Sequence, residues 1–439
     1  ADAVTGNVAI LRGASSVVGS AGTLTTAQAA NIGTLLADAA IDDVTLAYSI
    51  EGAAAGVAGL SARVLSGATN IEATGAAISA AQATTILGAQ NSGTTTIAAV
   101  SGTAADLRAL SVGVNDTISA LTVTDTSVAI GDLTILNGRV DGAVNVTAVS
   151  TLTGSQADLT ALLGGAPSLD DANGFDTFAA NASIVLAGTV TAAEANTAAG
   201  LTKGTGTLTA TVAADTATNL LTALTETDAH AYTLTVVGAA TVVQLNALDG
   251  LTTGSIDVSG VTTITGTAAE LSALYTNASF LGLGDEALTV SGTITAAEAN
   301  TLAGRTTGVV TATVEPGAAS ALNTDLTGTS ATDALTLTVT GAAAASHLIA
   351  LAGKTSLPID ATGVGPITGT AEELQVLYTL GATEITGLGN EAVTISGTPH
   401  ASVVNAVALL TTGTVTAELA QSGVTALYDA LTEGQSNAY

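Results

Sequence analysis

The sequence predicts an α/β repeat fold: a β/α solenoid of parallel strands and short helices, with one strand and one helix per coil of about 20–30 residues. Three observations predict it. The first is an internal repeat. The stretch Gly292-Thr293-Ile294-Thr295-Ala296-Ala297-Glu298-Ala299-Asn300-Thr301-Leu302-Ala303-Gly304 recurs almost letter for letter from Gly188 to Gly200, 104 residues earlier. A weaker copy runs from Gly397 to Asn405. The second is alternation of short strand-like and helix-like patterns across brief connections, which places the strands parallel. The third is composition: hydrophobic residues make up 47% of the chain but aromatic residues only 2%. Small and β-branched side chains suit thin, stacked layers, and so much apolar material excludes a disordered chain. The competing architecture is a row of separate α/β domains of about 104 residues. Coils are favoured because helices this short bury little alone.

Within the repeat, Ala287-Leu288-Thr289-Val290-Ser291 alternates as a strand does, and Gly292 punctuates it. Thr295-Ala296-Ala297-Glu298 has the form of a capping box, so a helix runs to about Ala303 and Gly304 stops it. Val309 to Val314 is the next strand. Such units compose each block. Residues 183–286 carry strands near 183–186, 207–212, 232–237 and 255–258, with helices near 192–199, 216–224, 241–248 and 268–275. Residues 287–390 repeat that order. Residues 70–182 form an earlier block, with cap-like Ser79/Gln82, Thr103/Asp106 and Ser155/Asp158. Residues 1–69 are degenerate N-terminal repeats, with Thr25 and Gln28 as the clearest cap, and 391–439 are half a block. A chain that starts and stops in mid-pattern reads as an excerpt of something longer, its ends being caps or subunit joints in the alternative. With no Met, residue 1 reads as a processed end.

Asn recurs at one phase inside the helices, as Asn31, Asn196, Asn219, Asn246, Asn300, Asn323 and Asn405. Helix propensity does not favour it there. The sequence therefore predicts that Asn196, Asn219, Asn246, Asn300, Asn323 and Asn405 cap backbone groups of the neighbouring coil. The alternative is a neutral surface position in duplicated sequence.

Charge and missing residue types limit the chemistry. There are 36 acidic against 7 basic residues, a net charge of −29, which repels nucleic acid and anionic membrane surfaces. Such a surface suits solubility by self-repulsion or the collection of divalent cations. Without Cys there are no disulfides or thiol sites. His230, His347 and His400 share no motif and read as incidental polar residues. No nucleophile elbow or phosphate loop appears. Glu194, Glu270, Glu298 and Glu373 are explained by capping, and Tyr275 and Tyr378, at matching helix ends, read as packing pegs. The chain is therefore expected not to be an enzyme. The one candidate ion site is Asp170, Asp171, Asn173 and Asp176, where oxygen ligands crowd a Gly-containing loop as calcium requires. The corresponding loops, Gly284-Asp285-Glu286 and Gly389-Asn390-Glu391, are poorer in ligands.

Runs such as Ile264-Thr265-Gly266-Thr267-Ala268-Ala269-Glu270-Leu271 and Gly308-Val309-Val310-Thr311-Ala312-Thr313-Val314 resemble repeats of very large secreted bacterial surface proteins. Those of marine cyanobacteria are most alike, including motility-associated cell-surface proteins and calcium-dependent haemolysin-type relatives. The resemblance covers most of 70–439 and implies an extracellular, structural or adhesive role, often with calcium. This chain lacks the tandem Gly-Gly-x-Gly-x-Asp nonapeptide of the calcium rolls. The expected function is a non-catalytic extracellular structural repeat protein: a surface-layer, filament or sheath subunit, or an adhesin stalk. It is expected to assemble with copies of itself, with no nucleic acid and no membrane insertion. The alternative is a binding solenoid, such as a phage fibre or a glycan- or ice-binding module.

Overall fold

The computed structural model describes residues 16–37, 43–172, 174–432 and 437–439. The chain forms two compact units: residues up to 213 with 224–232, and 214–223 with 233–439. The division falls within 183–286. Each unit is an α/β repeat solenoid, and every strand pairing described is parallel.

In the first unit, Ser16–Leu24, Asp43–Ala53, Ile71–Thr74, Thr95–Ile97 and Asp116–Ile118 pair in chain order. A second sheet runs through Ile78–Ser79, Val100–Gly102, Leu121–Val123 and Val144–Asn145. A third joins Ser127–Ala129, Thr151–Gly154, Ser183–Val190 and Leu208–Val212. In the second unit strand residues 233–241 are followed by Ile256–Gly266, Ala287–Ile294, Val310–Val314 and Ala334–Thr336. Thr338–Ala344, Ile359–Gly369, Val393–Ile395 and Val415–Ala417 continue the pattern in a further sheet. Thus the strands alternate with short helices as the repeat predicts, but many coils hold two strand segments rather than one.

The reason is a corner inside the strand. Gly292 has φ +83°, and the register with the next strand shifts between Thr289 and Thr293. Gly188, with φ +79°, marks the same shift between Val185 and Thr189. Only glycine enters this left-handed region at little cost, so the strand turns there without ending.

After the corner comes the helix start. The Thr295 hydroxyl accepts from the Glu298 amide at 3.2 Å while the Glu298 carboxylate accepts from the Thr295 amide at 2.8 Å. The same reciprocal box opens the helices at Thr25, Ser79, Ser155, Thr191, Thr241, Thr267 and Thr370. The helix then buries one narrow face, Ala296, Ala299 and Leu302, against strands whose alternate residues point inward, as Val310, Ala312 and Val314 do. Alanine on the helix and valine on the strand keep the two layers close, which is why a core with so few rings closes. Tyr48, Phe178, Tyr232 and Phe280 are the buried Phe and Tyr rings among the described residues, with Phe178 and Tyr232 the most enclosed.

Gly292→Ala should lower stability by about 1–2 kcal/mol through backbone strain alone, since nothing lies within 4 Å of the added methyl. Urea unfolding checks this; no change in midpoint would contradict the corner's role.

Candidate functional site

Several of the buried or repeated polar side chains brace a coil or hold it to the next. The most enclosed carboxylate among the described residues is Glu286, 2% exposed, and Glu391 at the equivalent place is 6% exposed. Helix Ala268–Leu274 ends at Tyr275, whose hydroxyl donates to Glu286 Oε1. Glu286 Oε2 accepts from the Gly284 and Asp285 amides at 2.9 and 3.2 Å. Thr306, one coil on, donates to the Glu286 carbonyl at 2.6 Å and accepts from Gly308 N–H at 2.9 Å. A methyl on Gly308 would sit 2.3 Å from that carbonyl oxygen, so the approach requires glycine. The next block repeats each contact. Tyr378 donates to Glu391 Oε1, the Gly389 and Asn390 amides to Oε2 at 2.8 and 3.0 Å, and Thr411 to the Glu391 carbonyl at 2.7 Å. Burial, then the hydrogen bond and charge of the adjacent glutamate, push both tyrosine pKa values up, so the phenols remain donors.

These two tyrosines are hydrogen-bond donors to buried carboxylates as well as packing groups. In the sequence Glu286 and Glu391 read only as members of ligand-poor loops, whereas here they are buried latches. The signal was present: Gly-Leu-Gly-Asp-Glu-Ala at 282–287 and Gly-Leu-Gly-Asn-Glu-Ala at 387–392.

A second joint lies at strand starts. In most coils the first strand N–H donates to a carbonyl of the following coil, as Ile184 to Thr207 at 3.0 Å and Leu288 to Val309 at 2.9 Å. In the second coil of the last three blocks a side chain takes that place. Leu208 N–H donates to His230 Nδ1 at 3.2 Å, Val310 N–H to Asp333 Oδ1 at 3.0 Å, and Val415 N–H to Asn437 Oδ1 at 2.7 Å. His230 is therefore not the incidental polar residue expected from the sequence; it is 3% exposed and accepts a strand amide. Its role was hidden because three different residue types fill one position, and only their capacity to accept a hydrogen bond is shared.

The predicted asparagines divide. Asn196 Oδ1 accepts from the Thr225 and Glu226 amides at 2.6 and 3.0 Å, beyond the next strand. Asn300 Oδ1 accepts from the Gly328 amide, and Asn405 Oδ1 from the Thr432 amide at 3.0 Å. These three stand in the first helix of their blocks. Asn219 instead donates within its own coil, to Asp215 Oδ1 at 2.8 Å. Asn246 is exposed and Asn323 half-buried, and neither makes such a bond among the described residues.

At the acidic loop, Asp170 Oδ2 pairs with Lys203 Nζ and Oδ1 accepts from the Phe178 amide at 3.2 Å. Asp171 Oδ2 accepts from the Ser168 hydroxyl at 2.6 Å. The Asp176 amide donates to the Val144 carbonyl, and Asn173 lies outside the described residues. Two of the four predicted ligands thus have protein partners, and a calcium ion at Asp170 would compete with a lysine. Among the described residues no group of three His, Asp or Glu side chains is arranged to hold a metal. A groove of about 680 Å³ in the first unit is lined by Ser111, Asp116, Thr117, Arg139 and Asp141. There Arg139 donates to the Leu110 carbonyl and Asp116 accepts from the Gly113 amide at 3.1 Å. No helix among the described residues is long and apolar enough to cross a membrane.

No family model and no curated protein matches the chain. It is similar to the leucine-rich-repeat ectodomain of the Arabidopsis receptor kinase HAESA, solved with an N-terminally extended IDA peptide hormone. The identity is 13%, the alignment covers 86% of this chain and 65% of that one, and the TM-score is 0.17. At that TM-score the likeness carries no argument about this chain.

Tyr275→Phe and Tyr378→Phe should each cost about 1–3 kcal/mol, because each leaves a buried carboxylate oxygen short of a donor. The two costs should add, since different coils are involved. Equal stability of Tyr275→Phe and wild type in denaturant would refute the latch. Asn300→Ala should cost about 1 kcal/mol and Asn246→Ala less than about 0.5 kcal/mol. The capping carboxylates Glu194, Glu270 and Glu298 are held below their ordinary pKa by bonds from Thr191, Thr267 and Thr295. Their contribution is complete above the unfolded value of 4.5 and is lost as pH falls through the lower folded values. Glu298→Gln should therefore flatten part of the acid limb of the stability profile.

Proposed function

We propose that this chain is a non-catalytic structural repeat protein of the cell exterior, a surface-layer, filament, sheath or stalk element that assembles through its repeat surfaces. The observation that carries the reading is the use of the repeated polar groups. Box carboxylates cap helices, Glu286 and Glu391 latch coils, and His230, Asp333 and Asn437 satisfy strand ends. A catalyst needs titratable groups that converge on a substrate-sized space; these instead point into the joints of the scaffold. The net charge of −29 fits an exterior surface kept apart from nucleic acid and anionic lipid. Calcium belongs to this proposal as a companion at Asp170, Asp171 and Asp176.

A second reading, a binding solenoid, is favoured by the in-register threonines of the second unit. Thr241, Thr265, Thr289 and Thr311 follow one another across paired strands, and Thr293, Thr313 and Thr336 form another such row. Rows of hydroxyls at strand spacing offer a regular face to a crystalline ligand.

Electron microscopy of the purified chain, with and without calcium, tests the first reading. Ordered sheets or fibres are expected, and isolated particles at every concentration would overturn it. Calcium should raise the melting temperature of wild type but not of the Asp170→Ala/Asp171→Ala/Asp176→Ala variant; equal shifts, or none, remove the ion from the proposal.

A further inference from the structure

Of the side chains that replace a carbonyl at the strand starts of Leu208, Val310 and Val415, only the one at 230 changes its hydrogen-bonding character near neutral pH. Asn437 has no proton to gain, and an Asp side chain such as Asp333 keeps an acceptor oxygen whether ionised or protonated. An imidazole does not. To accept from Leu208 N–H, Nδ1 must be bare, so the ring is neutral with its proton on Nε2. A second proton can go only to Nδ1, and it would then point a donor at the donor of Leu208.

We propose that His230 is a proton-operated release for the joint between the strand Leu208–Val212 and the turn that precedes Ala231. The neutral ring holds the joint, and the imidazolium lets it go. This inference is independent of the proposed assembly role. It also makes one coil acid-sensitive while its equivalents at Val310 and Val415 are not.

The surroundings bear on when release occurs. His230 is 3% exposed, and an enclosed imidazole resists taking charge. Burial therefore lowers its pKa below the ordinary 6.5, while the nearby charges of Asp228 and then Glu226, both on its own turn, act in the opposite direction. Tyr232 stands edge-on with ring centroids 5.5 Å apart, and its phenol, pushed up to about 12 by burial, carries no charge in this range. The strand Leu208–Val212 carries no titratable side chain. Because the folded pKa is the lower one, the joint is at full strength above the unfolded value of 6.5. It weakens as pH falls through the folded value. Charged Glu226 and Asp228 beside the ring would stabilise the released imidazolium.

Hydrogen exchange at the Leu208 amide in the full chain, from about pH 7.5 to about pH 5, tests this, with the Val310 and Val415 amides as internal controls. After correction for intrinsic rates, Leu208 protection should fall by up to about tenfold per pH unit below the imidazole pKa, as one linked proton allows. The controls should stay flat. His230→Asn should flatten the Leu208 profile, as should His230→Asp, which serves if the Asn variant does not fold. Nitrogen-15 NMR of His230 should give the Nε2–H tautomer at about pH 7.5 and a pKa below 6.5. A flat wild-type profile, the same fall in either variant, or an Nδ1-protonated ring at the upper pH would overturn the proposal. If neither variant folds, the wild-type profile and the tautomer decide it.

Discussion

Everything in this fold depends on one obligation: a strand's backbone groups must be met by the coil that follows. A parallel coil cannot satisfy itself, because its N–H and C=O groups point along the stack. Where the next coil presents a carbonyl at the right height, the ladder closes through the main chain. Where it does not, as at Leu208, Val310 and Val415, a side chain of the next turn supplies the acceptor. The latch at Glu286 meets the same obligation in reverse. There a buried carboxylate gathers the amides of its own tight turn while Thr306 of the next coil takes the carbonyl.

This obligation explains why so few residue types suffice. A thin layer between a helix face of alanine and a strand face of valine leaves no room for rings, so shape complementarity comes from regularity instead of bulk. Two of the enclosed rings sit where the regularity breaks. Phe178 closes the irregular loop held by Asp170 and Lys203, and Tyr232 packs beside His230.

Much of this was legible in the sequence, for reasons that can be named. The capping boxes announce themselves because Thr and Glu must stand three residues apart for their bonds to cross, a constraint internal to one short stretch. The alternation of strand and helix is equally local. Asn196, Asn300 and Asn405 could be picked out because mid-helix asparagine runs against propensity, yet the same argument also selected Asn219, which bonds within its own coil. What no local pattern reveals is the partner across coils. Glu286 stands in a repeated Gly-Leu-Gly-Asp-Glu-Ala stretch, but that stretch does not disclose that Thr306 of the next coil meets its carbonyl. His230, Asp333 and Asn437 share a function but no letter. The strand corners were hidden for a related reason, since a glycine between two strand halves reads as a terminator until the register shows that the strand resumes.

The latch has a consequence for how such a chain changes in length. Tyr275 and Glu286 lie within one coil and its turn, while Thr306 comes from the coil after, and the whole set reappears at Tyr378, Glu391 and Thr411. Removing a single coil would set an acceptor against the wrong neighbour and strand a carboxylate in the interior. Removing or adding a complete block would leave every partner facing its own kind. Length changes that keep every latch whole thus come in steps of one full period.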